Sequence, residues 1–137
     1  MNQSNSFVGK CVKTAADAAA LFHGAMAKEQ REERVYVLPL DASGGVLAKP
    51  IAVSVGHMDG KAGVNLGAIF REALKAGGEE IIVAHNHPSG NLTPSKADIE
   101  VTGKLREAAD FLSVPVLDHI ILGAGDAFLS LAEFADE

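Results

Sequence analysis

Apolar and polar residues fall into blocks along this chain, and their spacing switches between the period of a helix and that of a strand. Met1 to Gly9 shows neither period and reads as a loose tail. Thr14 suits the N-cap of a helix, with Asp17 placed to return the bond. The alanine-rich run from Ala15 to about Glu29 is then a helix that turns Leu21, Phe22 and Met26 inward. Val35 to Leu40 (VYVLPL) is rich in β-formers, and Pro39, which has no N–H, puts this strand at a sheet edge or at a bulge. Asp41 to Gly45 is a turn, and Val46 to Val55 a second strand interrupted at Pro50. Val64, Leu66, Ile69, Phe70, Ala73 and Leu74 recur at helical spacing until Gly77-Gly78 stops them. Glu80 to Ala84 is a short apolar strand of the kind buried on both faces. Ser95 to Leu112 is an amphipathic helix with Ile99, Leu105, Ala108 and Leu112 towards the core. Val116 to Leu122 is a central strand and Phe128 to Leu131 a short last one.

Strands alternating with helices predict an α/β fold, a three-layer sandwich around a mixed β-sheet. With 137 residues and no internal repeat, a single domain over residues 10–137 can bury a core of its own. The formal charge of -6 argues against affinity built on phosphate neutralisation, so DNA is not an expected partner. Cys11 is the only cysteine, which excludes an internal disulfide and a cysteine-rich zinc site. No signal-peptide pattern and no membrane-length apolar run occur, so the expectation is a soluble cytoplasmic protein without membrane contact. Nothing in the pattern speaks to oligomeric state.

The chemistry concentrates in AHNHPSGNLTPSKAD, residues 84–98. His85 and His87 stand at the carboxyl end of the apolar strand, where residues i and i+2 share a face and both imidazoles can meet one metal. Pro88-Ser89-Gly90 turns the chain and lets Asp98, in the first turn of the next helix, come back towards them. Two imidazoles and a carboxylate, with a fourth position left to water, form the ligand set of a catalytic zinc site. Such a site needs a general base and an oxyanion donor. Ser95 has the hydroxyl for the second role, and Glu33, heading the VYVLPL strand, is a candidate base. Adjacent strand residues face opposite ways, so only one of Glu32 and Glu33 can aim at the metal. Ser95-x-x-Asp98 is also a capping box, which by itself would make both residues helix-end partners and leave the histidines ending a strand.

His-x-His, seven residues, then Ser-x-x-Asp is the spacing of the JAMM metalloprotease motif, and the string HNHPSGNLTPSKAD closely resembles the RadC-type branch of the MPN/JAMM domains. EERVYVLPLD, FREAL and LDHIILG resemble further RadC-type blocks, so the likeness runs from about Lys13 to Glu133. It implies a cytidine-deaminase-like α/β sandwich, zinc held by His85, His87 and Asp98, Glu33 polarising the attacking water and Ser95 assisting at the oxyanion. The helix-hairpin-helix region of full-length RadC-type proteins has no counterpart in these residues. Where the family suggests a His-Pro-Arg-like start to the middle helix, this chain has Asn65-Leu66-Gly67.

The function expected on these grounds is a zinc metallopeptidase or isopeptidase acting on a peptide or an isopeptide-linked protein. The alternatives are a non-catalytic, metal-stabilised interaction module and an accessory protein in DNA repair or mobile-element biology. A zinc deaminase would need an H-x-E and P-C-x-x-C signature that is missing. The Val35–Leu40 strand, if at an edge, could capture an extended peptide. Asp118 and His119 cannot both reach one metal and are expected to be structural or to support a ligand. His23 and His57 are expected to be satisfied or solvent-facing, Ser89 to stabilise its turn, Asn86 to point away from the histidines, and Cys11 to be inert.

Overall fold

The computed structural model describes residues 6–26, 32–55 and 64–135. Its elements are α1 (Ala15–Ala25), β1 (Arg34–Leu40), β2 (Ile51–Val55), α2 (Leu66–Lys75), β3 (Glu80–Asn86), α3 (Lys96–Leu112), β4 (Val116–Leu122), β5 (Phe128–Ser130) and α4 (Leu131–Ala135). The five strands make one mixed sheet in the order β2-β1-β3-β4-β5, with β3 and β4 parallel and the other pairs antiparallel. Strand alternation sorts the core into two layers. Tyr36, Leu38, Leu40, Ile82, Ala84, Ile120 and Leu122 meet Ala18, Ala19 and Phe22 of α1 on one face. Val35, Val37, Ile81 and Val83 meet Ile69, Phe70 and Ala73 of α2 and Leu105 and Ala109 of α3 on the other. This is the three-layer α/β sandwich that the pattern predicts.

Local chemistry sets most boundaries where expected. Thr14 and Asp17 exchange the two bonds of a capping box at α1, and α2 ends before Gly77-Gly78. Asn65, in the departure noted above, is the N-cap of α2, its Oδ1 accepting the Ala68 N–H at 2.9 Å. The expected α1 extension to Glu29 stops at Met26, whose backbone is extended; residues 27–31 lie outside the described residues, as does His57.

Several expectations need correction. Phe7 is buried in the α1-side core and the Gly9 N–H bonds the Val46 carbonyl, so residues 7–9 are packed rather than loose. β1 lies inside the sheet, not at its edge. Pro39 is tolerated because its carbonyl receives the Leu47 N–H at 3.0 Å, so its missing donor lies on that same side, beyond the β2 pairing that ends at Val37. Its contacts to β3 lose no bond. The irregularity on β1 sits between Val35 and Tyr36 instead. A peptide therefore finds no open edge along Val35–Leu40. β2 begins at Ile51, and Val46 contributes only an isolated bridge to Leu40. Ile99, Leu112 and Leu74 are exposed, whereas Leu105 is buried as expected. Leu131 opens the short helix α4 instead of extending the last strand. No described helix is long and apolar enough to cross a membrane.

Candidate metal centre

β3 runs two residues further than its apolar stretch, which brings His85 into the strand and Asn86 to its end. His85 pairs with Val35 of β1, so its ring lies on the α2/α3 face of the sheet. His87 is fixed just beyond, its N–H donating to the Leu122 carbonyl at the end of β4. The turn that follows is held by Gly90 N–H to His87 carbonyl, by Ser89 Oγ accepting from Asn91 N–H, and by Asn91 Oδ1 accepting from Thr93 N–H. Gly90 takes φ +82°, the left-handed conformation open to glycine. Gly123 lets this turn lie against β4: a Cβ there would stand 2.9 Å from a Leu92 methyl and 3.4 Å from the Gly90 carbonyl oxygen.

The turn delivers Ser95 as N-cap of α3 and Asp98 as its third residue. Ser95 Oγ accepts from Asp98 N–H, and Asp98 Oδ2 accepts from Ser95 N–H. The capping box is therefore present. So is the cluster: His85 Nε2 is 3.1 Å from Asp98 Oδ1, His87 Nε2 is 3.2 Å from Asp98 Oδ2, and the two Nε2 atoms are 3.0 Å apart. Among the described residues this is the one group of three such ligands with donor atoms close enough to share an ion.

The donor set fits a divalent cation. Asp98 Oδ1 is buried and accepts no hydrogen bond, although His85 Nε2 is close. A buried carboxylate oxygen without a partner is costly, and an ion removes that cost. His87 Nδ1 lies 2.7 Å from the Asn91 carbonyl, which can only accept, so Nδ1 carries a proton and Nε2 is the nitrogen turned to Asp98. The Asp98 carboxylate raises His87 above the ordinary imidazole value, with the Asn91 carbonyl and the Glu33 charge acting alike and desolvation opposing them. Burial pushes the Asp98 carboxyl up, but the two rings and the Ser95 amide outweigh it and hold the group ionised, well below the usual carboxylate range. The site favours positive charge. His85 and Asp98 close it on the core side, while His87 is half-buried and Ser95 exposed, so one side stays open.

Glu33 directly precedes β1. The β1–β3 register pairs Val35 with His85, and continuing it by two residues sets Glu33 opposite His87 on the histidine face and Glu32 on the other. Asn86 does more than point away. It is buried at the end of β3, its Oδ1 accepts the Arg34 N–H at 2.7 Å and its Nδ2 donates to the Glu32 carbonyl at 3.1 Å, so one amide grips the backbone on both sides of Glu33.

The remaining polar residues take supporting places. His119 is fully buried on β4, its Nε2 2.8 Å from His85 Nδ1. Desolvation is the main cause that pushes its pKa down to about 3, which leaves the ring neutral. Asp118, on the opposite face, accepts from His119 N–H, Ala132 N–H and the Ser130 hydroxyl, tying α4 to the sheet. A buried aspartate in an apolar strand was the available signal for that anchor. His23 is satisfied by the Ala127 carbonyl at 3.0 Å. Cys11 is exposed, with its thiol near the Ser43 carbonyl.

Residues 12–136 match the family model described as RadC-like JAB domain. A UPF0758 protein of Carboxydothermus hydrogenoformans is 47% identical over 94 residues, covering 69% of this chain and 41% of its own length. UPF0758 proteins of Thermosynechococcus vestitus and Microcystis aeruginosa are 40% and 38% identical, covering 88% and 93% of this chain and 48% and 51% of theirs. The chain thus spans about half the length of the curated relatives it matches. By sequence match over nearly its whole length, and with the motif histidines and aspartate gathered at one point, the chain belongs to the RadC-like JAB domain family.

Proposed function

We propose that this chain is a zinc-dependent hydrolase of the peptidase or isopeptidase kind. The observation that carries this reading is the convergence of His85 Nε2, His87 Nε2 and the unpartnered Asp98 Oδ1 at a point open past His87 and Ser95. These three residues hold the ion, two neutral nitrogens and one carboxylate being the protein share of a catalytic zinc site. When bound, zinc supplies Lewis acidity, which acidifies water and polarises a carbonyl at neutral pH.

The chain's own residues do the rest. Glu33 takes a proton from the attacking water and returns it to the leaving amine as the amide C–N bond breaks. The acyl carbon gains the hydroxyl and the amine gains the proton. Ser95 Oγ spends a lone pair on the Asp98 N–H, which leaves its own O–H to donate to the oxyanion. The substrate class is a peptide or an isopeptide-linked protein.

The test starts with metal content per chain, by plasma mass spectrometry, on wild type and His87→Ala purified side by side. About one zinc in the wild type, lost in the variant, is expected; a peptide and isopeptide panel follows, with Glu33→Gln as the inactive control. No uptake by the wild type in supplied zinc defeats the reading. So does a turnover that Glu33→Gln leaves intact.

A further inference from the structure

Behind His85, away from Asp98, runs a line of hydrogen bonds that the hydrolytic reading does not use. Thr102 lies one helical turn beyond Asp98 on α3, and its Oγ1 donates to the Asp98 carbonyl at 2.9 Å. The same oxygen is 2.7 Å from His119 Nδ1, and His119 Nε2 is 2.8 Å from His85 Nδ1. The fold sets these residues together. β3 and β4 are parallel neighbours that bring His119 beside Val83, two residues before His85, and α3 covers that face of the sheet.

The protons in this line can run in only one of two directions. A threonine hydroxyl has one proton and the carbonyl has none. With that proton on the Asp98 carbonyl, Thr102 Oγ1 receives the His119 Nδ1–H. His119 Nε2 is then a lone pair that receives the His85 Nδ1–H, and His85 Nε2 is left bare. The opposite direction would put a proton on His85 Nε2, facing Asp98 Oδ1 at 3.1 Å. That order gives up the Thr102 bond to the Asp98 carbonyl, which can only accept, and sets a proton where the three ligand atoms converge.

We propose that Thr102 and His119 are positioning residues that lock His85 in its Nδ1–H tautomer, with Nε2 presented bare towards Asp98. The consequence for metal binding rests on the zinc reading above; the tautomer lock itself does not. α3 supplies both the Asp98 carboxylate and, four residues on, the hydroxyl that orders the ring opposite it. A histidine present only for packing would need neither Thr102 nor a fixed proton.

The experiment is long-range 1H–15N correlation of the imidazole nitrogens in the 137-residue chain, with zinc removed and then restored, for wild type, Thr102→Val and Thr102→Ser. The wild type is expected to show His85 and His119 protonated at Nδ1 without metal. Thr102→Val, which keeps the shape without the hydroxyl, shifts His85 to Nε2–H or to a mixture, and Thr102→Ser restores the wild-type pattern. Zinc affinity by chelator competition falls about 10- to 100-fold in Thr102→Val and recovers in Thr102→Ser. Nε2–H at His85 in the wild type overturns the lock, as does a pattern that Thr102→Val leaves unchanged. A wild type that takes up no zinc but shows the expected tautomers defeats the zinc reading and supports the lock. The wild-type spectrum decides even if Thr102→Val does not fold.

Discussion

Ser95 and Asp98 hold each other by reciprocal bonds, Asp98 N–H to Ser95 Oγ at 3.0 Å and Ser95 N–H to Asp98 Oδ2 at 2.7 Å. The pair caps α3 and yet occupies only one carboxylate oxygen, leaving Oδ1 beside His85 Nε2. Helix capping and a place at an ion site, which look like rival explanations of Ser-x-x-Asp in a sequence, are compatible here in one side chain, one oxygen capping and the other placed where an ion could be held. The cap is what aims it.

The two duties separate by mutation. Ser95→Ala removes the cap oxygen and is expected to lower stability by about 1 kcal/mol in urea titration. It leaves Asp98 in place, so metal content stays near wild type while turnover falls roughly 10²- to 10³-fold for a lost oxyanion donor. Asp98→Ala loses the metal outright. Equal metal loss in both variants would show that the two duties are one.

Asn86 gives a second separation. Its amide bonds the backbone on either side of Glu33 and lies outside the three residues placed to hold an ion. Asn86→Asp keeps the acceptor for the Arg34 N–H but strips the donor from the Glu32 carbonyl. The expected cost is about 1–3 kcal/mol for the broken buried bond. Turnover should drop by more than metal content does, because the displaced group is the proposed base. Unchanged kcat with the expected loss of stability would leave Asn86 a purely structural clamp.

What was legible follows from the range over which each signal acts. His85 and His87 could be read as a pair because a strand repeats every two residues, and Asp98 because a capping box fixes the third helical position. Glu33 over Glu32 needed the β1–β3 register, which no local pattern contains. Asn86 and His119 bond across 52 to 54 and 34 residues, so their partners had no signature in the neighbouring sequence. Pro39 announces a missing donor but not the side it is missing from, so the sequence left β1 at an edge or at a bulge. In the fold the gap falls on the β2 side, beyond the pairing that ends at Val37. Ile99 and Leu112 fit a helical period, but a long helix over a sheet buries only part of its apolar stripe.

Acid should probe the cap of α1. Asp17 accepts the amides of Lys13 and Thr14, and these bonds lower its pKa below the ordinary value near 3.8. A depressed folded pKa contributes stability above the unfolded value and loses it as the pH falls through the folded one. Wild type should therefore exceed Asp17→Asn in melting temperature at pH 6, and the gap should close below about pH 4. A gap independent of pH would mean the carboxylate charge contributes nothing to the cap.

Burial, rather than hydrophobic character, should rank the core substitutions. Leu38 is fully buried in an interior strand among Phe22, Ile82 and Ile120 of one core layer, so Leu38→Ala should cost about 2–5 kcal/mol through lost transfer energy and an unfilled cavity. Ile99 has the same apolar character and a position that helical spacing assigns to the core, but it is 54% exposed. Ile99→Ser should therefore stay within about 0.5 kcal/mol in the same urea titration. Both sites lie outside the metal centre, so zinc per folded chain should not change in either variant. A large loss at Ile99 would mean that its surface is covered in solution, and sedimentation of the wild type would then reveal a second copy.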